Sequence, residues 1–231
     1  MSIIAKNLNK VRSEIASSAT KSGRKTSDIT LLAVSKTRPA NDIRIAANEG
    51  QVHFGENYLQ ESLEKINELK ALGLCWHFIG PLQSNKTRAV AENFDWLHTL
   101  DRFKIAKRLS EQRPADLAPL NVCIQVNISN EESKSGCLPS ELTALVNVIS
   151  ELPNICVRGL MAIPKATQDA QEQQVAFAKM KALQLELQAK YPQLDTLSMG
   201  MSGDMDAAIA EGSTIVRIGT AIFGPRAPKS A

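Results

Sequence analysis

The sequence predicts an α/β fold, a single (β/α)8 TIM barrel with an extra helix at its N-terminus. Eight short hydrophobic runs recur along the 231 residues, and about seven longer amphipathic patterns separate them, as in a chain that alternates strands with helices. Most of the short runs are hydrophobic throughout rather than at every second residue, which is typical of parallel strands buried on both faces. An open, doubly wound sheet built from the same elements is the alternative.

Each predicted strand corresponds to one hydrophobic run. In chain order the strands are Ile29–Ser35, Val52–Gly55, Cys75–Gly80, Trp96–Thr99, Asn121–Asn127, Val157–Ile163, Thr196–Met199 and Ile215–Gly219. If the barrel closes, the last strand pairs with the first, and residues from opposite ends of the sequence become neighbours.

The predicted helices are defined by their spacing of apolar residues and by their end signals. Within residues 1–27, apolar residues at helical spacing predict a packed N-terminal helix; they are Ile4, Leu8, Val11 and Ile15. Pro39 is expected in the first turn of a helix that Gly50 ends, and Asp101 is expected to cap a helix over Arg102–Glu111. Further helices are predicted over Pro139–Leu152, Gln168–Lys190 and Asp204–Glu211, the last ending at Gly212.

Composition narrows the functional classes. Hydrophobic residues make up 43% and charged residues 22% of the chain, as in a globular protein with an ordinary core. The formal net charge of +3 and an aromatic content of 4% do not favour a nucleic-acid-binding surface. No apolar stretch approaches the roughly 18 residues that a membrane helix needs. We expect residues 1–231 to form one domain in the cytoplasm, without nucleic acid or membrane partners.

The four cysteines show neither paired spacing nor the spacing of metal ligands. Cys75, Cys123 and Cys156 lie in apolar runs and are expected to be free, buried thiols in a reducing compartment. Cys137 lies in a polar loop and is expected to be more exposed. The sequence therefore predicts no metal site.

Lys36 is the first candidate functional residue, because it comes directly after the hydrophobic run of the first strand. In a TIM barrel, function lies at the carboxyl ends of the strands. A lysine there that is partly removed from water has a lowered pKa, and its neutral amine can attack a carbonyl group. A lysine that merely extends into solvent is the alternative.

The loops after the seventh and eighth strands are candidates for binding a phosphate group. Gly219 and Thr220 follow the eighth strand, and Ser202 follows the seventh, so amides and hydroxyls could approach an anion there. Asp204 and Asp206 would repel a phosphate, so we expect Gly219 and Thr220 to be the stronger half. Ser202 could equally be a helix cap, and Gly219 could serve only a tight turn.

Arg217 completes the set, because a charged residue inside a buried strand needs a partner or a polar cavity. Strand pairing would bring it close to Lys36 and to Gly219. A lysine that captures an aldehyde, a phosphate cradle and a buried arginine together predict a site for pyridoxal 5′-phosphate (PLP). Unrelated structural roles for the three are the alternative.

Six segments distributed over nearly the whole chain closely resemble the pyridoxal phosphate homeostasis protein family, relatives of the alanine racemase N-terminal barrel. The segments are Leu32–Thr37, Phe54–Tyr58, Trp76–Lys86, Arg158–Pro164, Leu197–Ser202 and Arg217–Gly224. The resemblance implies a PLP-binding barrel of fold type III and a protein that acts in intracellular PLP (vitamin B6) and amino-acid homeostasis without an established catalytic reaction.

The resemblance also implies roles for individual residues. It places a Schiff base with PLP on Lys36, Arg217 against the pyridine nitrogen, and Asn57 beside the lysine. It implies phosphate contacts from Ser198, Ser202, Gly219 and Thr220. His77 and Met161 are expected near the ring, with a place in the hydrophobic core as the alternative for each.

A PLP-dependent amino-acid racemase of the alanine racemase type is the alternative function. Racemisation through two bases needs a second base on the face of the ring opposite the lysine. The resemblance makes that base a tyrosine, and the chain offers Tyr58, close to the site, and Tyr191, at a helix end. We expect a protein without turnover.

Transfer of the cofactor is a further expectation. PLP-dependent apo-enzymes are the expected recipients, and Lys86 and Lys134 are candidate secondary lysines, although solvated surface positions explain both. A monomer is expected.

Overall fold

The computed structural model describes residues 2–131, 135–165 and 167–225 and shows a closed barrel of eight parallel strands in sequence order. The strands are β1 (Thr30–Val34), β2 (His53–Glu56), β3 (Cys75–Phe78), β4 (Trp96–Leu100), β5 (Leu120–Gln125), β6 (Ile155–Met161), β7 (Thr196–Ser198) and β8 (Ile215–Ile218). The barrel closes where β8 pairs with β1, in a register that aligns Leu32 with Arg217 and Ala33 with Ile218. All eight predicted strands and the predicted barrel are therefore confirmed.

Nine α-helices surround the barrel within the described ranges. They are α1 (Ile3–Lys21), α2 (Ala40–Asn48), α3 (Leu59–Glu68), α4 (Thr87–Asn93), α5 (Phe103–Gln112), α6 (Pro139–Ser150), α7 (Ala170–Gln188), α8 (Met205–Ala210) and α9 (Thr220–Phe223). None of the helices described is both long enough and apolar enough to cross a membrane.

The N-terminal helix packs as its apolar spacing predicts. Ile4, Leu8, Val11 and Ile15 of α1 are all buried, and α1 lies against α2, α8 and α9. Fully burying a side chain of this kind contributes about 1.5–3 kcal/mol relative to its exposure. The helix is thus part of the hydrophobic core.

Two predicted helix starts are wrong by a small shift. Asp101 does not cap α5: Arg102 is the residue before the helix, and Asp101 forms an ion pair with it at 3.0 Å. Burial raises the pKa of Asp101, and the charge of Arg102 opposes that change. Pro39 lies just before α2 with extended backbone rather than in its first turn.

The burial of the cysteines differs from expectation at three of the four positions. All four are free thiols, and Cys123 is buried as predicted. Cys137 is buried rather than exposed, because its backbone joins the end of β5: its N–H donates to Gln125 and its carbonyl accepts from Asn127. Cys75 and Cys156 are only half-buried, since each lies at the amino end of its strand.

Candidate functional site

Lys36, Gly219 and Thr220 meet at the carboxyl ends of β1 and β8. The three line a small cavity of about 30 Å³ together with Val34, Arg38 and Gly224. Lys36 itself is half-buried. The neighbourhood predicted from barrel closure, between residues at opposite ends of the chain, is therefore present in the structure.

Arg38 is a member of this cavity that the sequence analysis missed. Its Nη2 donates to the carbonyl oxygens of Gly224 and Pro225, the latter at 2.7 Å. It thereby ties the segment after α9 to the loop after β1. In the sequence, only its position two residues after Lys36 pointed to a role at this site.

A buried cluster of charges holds the turn that carries Lys36. Lys65 of α3 donates to the carbonyl oxygen of Ser35 at 2.9 Å and forms an ion pair with Glu56, also at 2.9 Å. It forms a second ion pair with Glu61, whose carboxylate accepts from the amide of Thr37 at 2.6 Å. The residues on both sides of Lys36 are thus fixed.

The strain in this turn shows why such a brace is needed. Thr37 has a φ of 64°, in the left-handed region that a β-branched residue rarely adopts. Such a conformation costs on the order of 1–3 kcal/mol and persists only where surrounding contacts impose it. Lys65 was not predicted as a site residue, although it lies four positions after Glu61 on one helix face.

Glu56 is fully buried, and its burial affects whether its carboxyl group is charged. Burial raises the pKa of Glu56, while the charge of Lys65 and the hydrogen bonds from Lys65 and Ser35 oppose the rise. Ser35 donates to Oε1 at 2.6 Å. The other oxygen, Oε2, is buried without a partner among the described atoms. The ionised form of Glu56 therefore depends on Lys65.

Arg217 extends from β8 into the barrel interior and donates to uncharged oxygens. Its Nη1 donates to the carbonyl oxygen and the hydroxyl of Ser198, at 2.5 and 2.8 Å, and its Nη2 donates to the carbonyl of Ala162 at 2.9 Å. Burial lowers the pKa of Arg217 to about 10, partly offset by Asp204. The guanidinium is still charged at neutral pH, and these bonds use three of its five N–H groups.

A row of three histidines continues from Arg217 through the barrel. The hydroxyl of Ser198 lies 2.8 Å from Nδ1 of His98, Nε2 of His98 lies 2.9 Å from Nδ1 of His77, and Nε2 of His77 lies 3.0 Å from Nδ1 of His53. These are all the histidines of the chain. His77 therefore lies inside the barrel, and its partners are the other two histidines and the thiol of Cys75 rather than backbone groups.

Burial keeps the inner histidines neutral. It lowers the pKa of His98 to about 3, with a further contribution from the charge of Arg217. It lowers the pKa of His77 well below the ordinary value, and His98 and His53 add to the effect. A neutral imidazole can donate one hydrogen bond and accept another. All the hydrogen bonds along the row can therefore point the same way, in either of the two directions.

The loop after β8 packs closely against the end of β1. A methyl group placed on Gly219 would lie 3.1 Å from the carbonyl oxygen of Val34, so this position favours glycine. The helix α9 begins at Thr220, and the first amides of a helix have no partners within it. Gly219 and Thr220 thus offer donors beside Lys36.

The loop after β7 is arranged differently. Ser202 is exposed and lines another pocket, between α1, α7 and α8. It does not cap α8, since Asp204 is the residue that precedes this helix. A carboxylate oxygen of Asp204 accepts from the amide of Met201 at 2.6 Å. The carboxylate thus occupies one of the donors that an anion would need, as expected from the acidic residues of this loop.

A larger cavity of about 410 Å³ opens at the same end of the barrel. It is lined by Asn57, Ile79, Pro81, Leu82, Gln83, Thr99, Asp101, Arg102, Gln125, Val126, Asn127, Ser135 and Ile163. The side-chain oxygen of Asn57 is buried and has no partner among the described atoms. An unpaired buried acceptor costs about 1–3 kcal/mol, so the side-chain oxygen of Asn57 is an unsatisfied hydrogen-bond acceptor at the edge of this cavity.

The remaining predicted residues are accounted for as follows. Met161 ends β6 and is buried, 1% exposed, in register with Gln125 and Ser198. Lys86 is the last residue of a short 3₁₀ turn and is exposed. Lys134 lies outside the described residues. The structure therefore groups Lys36, Gly219 and Thr220 directly, with Arg217 and Ser198 one layer below.

The chain is similar to known proteins in both sequence and fold. The family model for the N-terminal domain of alanine racemase matches residues 5–227. The chain is 58% identical over 226 residues to a pyridoxal phosphate homeostasis protein of Pseudomonas aeruginosa, and the match covers 98% of this chain and 97% of that protein.

Two solved structures are similar in fold to this chain. The chain is similar to PipY of Synechococcus elongatus with PLP bound, with a TM-score of 0.83 and 40% identity over 96% of this chain and all of that one. Alanine racemase of Corynebacterium glutamicum shares only the fold, with 18% identity, a TM-score of 0.68 and 62% of that chain covered.

Proposed function

Because the chain belongs to the pyridoxal phosphate homeostasis protein family, we propose that it binds PLP at Lys36 and acts in the homeostasis of PLP and amino acids. The observation that carries the proposal is the meeting of Lys36 with Gly219 and Thr220 in one cavity, with the buried Arg217 two positions before Gly219 on β8. The related PipY has been solved with PLP bound.

The residues present fit this cofactor. PLP supplies an aldehyde and a phosphate, which need an amine and a set of anion donors respectively. Lys36 supplies the amine, and Gly219 and Thr220 supply amides and a hydroxyl. The unpaired oxygen of Asn57 supplies an acceptor, and Arg217 supplies a fixed positive charge.

The charged state of Arg217 favours binding over catalysis. Its guanidinium, with a pKa of about 10, donates hydrogen bonds but does not release its proton at neutral pH. A pyridine nitrogen facing it would stay unprotonated, and the bound ring would withdraw electrons weakly. We therefore propose a protein without catalytic turnover.

Tyr58 does not support the racemase alternative in this conformation. It is 53% exposed and immediately precedes α3, and it lines neither of the two cavities at this end of the barrel. A second base would have to lie against the ligand.

The proposal has three further parts. They are a cytoplasmic location, a monomeric state and delivery of PLP to apo-enzymes.

The proposal is tested by the visible absorption spectrum of the purified protein with added PLP, before and after borohydride. The expected result is a band that borohydride bleaches, with a pyridoxyl group fixed on Lys36 in a peptide mass map. Lys36→Ala should remove both signals, whereas Lys10→Ala, at an exposed surface position, should retain them. A protein that stays colourless with PLP would refute the site.

Turnover is tested separately. No more than trace racemisation of amino acids is expected, and robust turnover that Tyr58→Phe abolishes would establish the enzyme instead. For delivery, an apo-enzyme should gain activity faster from the loaded protein than from free PLP at the same concentration. Equal rates would refute delivery.

A further inference from the structure

Three metal-binding side chains converge at the amino ends of β2 and β3, at the opposite end of the barrel from Lys36. His53 and Cys75 are the first residues of these strands and are direct partners in the strand register. His77 lies two positions after Cys75, so the two side chains project from the same face of the strand. The strand pairing itself therefore brings the three together.

The donor atoms of these residues are close to one another. Nδ1 of His53 lies 3.0 Å from Nε2 of His77, and Sγ of Cys75 lies 3.4 Å from the same nitrogen. All three donor atoms lie within 4.8 Å of one another. Ligands arranged as a tetrahedron around zinc stand about 3.3–3.6 Å apart, given the usual zinc–nitrogen and zinc–sulfur lengths. The two distances to Nε2 of His77 are thus within a few tenths of an ångström of this spacing, and the distance between His53 and Cys75 is no more than 4.8 Å.

Asp95 is the candidate for a fourth donor, although in this conformation its carboxylate lies outside the group of donor atoms within 4.8 Å of one another. It precedes β4, the strand beside β3, and its charge acts on both Cys75 and His53. One of its oxygens also accepts from the amide of Trp76 at 2.8 Å, which fixes the carboxylate. The set then comprises two imidazoles, one thiol and one carboxylate, all of them zinc ligands.

We propose that His53, Cys75 and His77, with Asp95 in the fourth position, form a zinc-binding site at the amino-terminal face of the barrel. Zinc is preferred because a mixed set of nitrogen, sulfur and oxygen donors in a tetrahedral arrangement matches this borderline-soft ion. Magnesium and calcium need a shell of oxygen atoms instead.

The solvent exposure of the ligands and the hydrogen-bond partner of His77 are consistent with a metal site. Asp95 is exposed, and His53 and Cys75 are half-buried, so an ion can enter from solvent. His77 is 1% exposed, and its other nitrogen, Nδ1, lies 2.9 Å from His98. A histidine that binds a metal usually bonds a second group through its remaining ring nitrogen, which fixes the ring. His98 fills that role here.

The competing explanation is that the same groups only hydrogen-bond to one another. In that case the cluster needs no ion, and metals bind weakly or at scattered surface positions. Direct titration distinguishes the two, because a built site takes one equivalent and depends on each ligand.

The experiment uses the full chain, treated with a chelator and then freed of it. Zinc binding is measured by calorimetry, and cobalt(II) serves as the spectroscopic probe, recorded as difference spectra. We expect one equivalent of zinc, together with a tetrahedral cobalt spectrum and a thiolate-to-cobalt charge-transfer band. Cys75→Ser should abolish that band and weaken zinc binding at least about tenfold, and His53→Gln should weaken it similarly.

Cys156→Ser is the matched control, because Cys156 is the other half-buried thiol at the amino end of a strand. It should leave zinc binding and the cobalt spectrum unchanged. Should Cys75→Ser fail to fold by circular dichroism, His53→Gln and Asp95→Asn give the same readout from the exposed edge of the site. Zinc binding that is absent, or that all these ligand variants leave unchanged, would overturn the proposal.

Discussion

Arg217 donates a hydrogen bond of 2.8 Å to the hydroxyl of Ser198, a residue on the neighbouring strand. The same hydroxyl lies 2.8 Å from His98, so Ser198 joins the charged group below the Lys36 cavity to the histidines inside the barrel. Ser198 thereby acts as a positioning residue for Arg217. Its implied contact with a phosphate stays a prediction.

Replacing Ser198 by alanine should therefore destabilise the protein. The change leaves the buried Arg217 and His98 each without one partner, which costs about 1–3 kcal/mol. Urea unfolding measures the loss. Ser202→Ala, at an exposed position of the next loop, should stay within about 0.5 kcal/mol of the wild type. Equal stability of the two variants would show that the hydroxyl of Ser198 does not hold Arg217.

Lys65→Met should destabilise the protein strongly at neutral pH, because it leaves Glu56 buried and charged. Removing one partner of a buried ion pair costs about 3–5 kcal/mol. Burial raises the pKa of Glu56, and loss of Lys65 raises it further, so the variant should recover stability as the pH falls and the carboxyl takes up a proton. Urea unfolding at a series of pH values measures this.

Two controls separate this effect from general loss of charge. The double variant Glu56→Gln, Lys65→Met removes the buried charge and should be more stable at pH 7 than Lys65→Met alone. Lys10→Met breaks an exposed pair with Glu14, at 3.8 Å, and should cost less than about 1 kcal/mol. A loss in Lys65→Met that does not change with pH would contradict the explanation.

Asn57→Ala should affect ligand binding and stability in different ways. The side-chain oxygen of Asn57 has no partner in the described structure, so its removal takes away an unsatisfied buried acceptor and should not lower the stability of the ligand-free protein. The loss of one hydrogen bond should weaken PLP binding by about 1 kcal/mol, or roughly fivefold to tenfold. Fluorescence titration and urea unfolding give the two readouts. Strong destabilisation without ligand would show a structural role instead.

The neutral, buried His98 should make the protein sensitive to acid. Its folded-state pKa of about 3 lies below the value of about 6.5 expected in the unfolded chain. Between these pH values His98 binds a proton in the unfolded chain but not in the folded protein. The free energy of unfolding therefore falls as the pH decreases from about 6.5 towards 3. One such proton contributes a slope of about 1.4 kcal/mol per pH unit.

The slope is measured by urea unfolding of chelator-treated protein, so that bound metal does not contribute. His98→Gln removes the titrating group and should reduce the slope between pH 6 and pH 4, whatever its effect on absolute stability. The wild-type slope persisting unchanged in His98→Gln would assign the acid sensitivity to other groups.

Much of the fold could be predicted from local pattern. Parallel strands buried on both faces need continuous apolar runs, and these runs marked all eight strands. Closure of the barrel then placed Lys36 beside Gly219 and Thr220 without any further information, because strand order alone determines that adjacency. Helix starts, such as Asp101, were wrong because several neighbouring residues can satisfy the same end of a helix, and the burial of Cys137 was wrong because it depends on pairing with the end of β5.

The charged and polar interior of the barrel was decided by the tertiary structure. His53, His77 and His98 lie on three different strands, and only the strand register and the inward direction of their side chains bring them into one row with Arg217. Lys65 reaches the Lys36 turn from a helix surface where most lysines are solvated. Such contacts between distant residues depend on register and burial, which leave no signature in local sequence, whereas strand order and the residues at strand ends could be read from the sequence by itself.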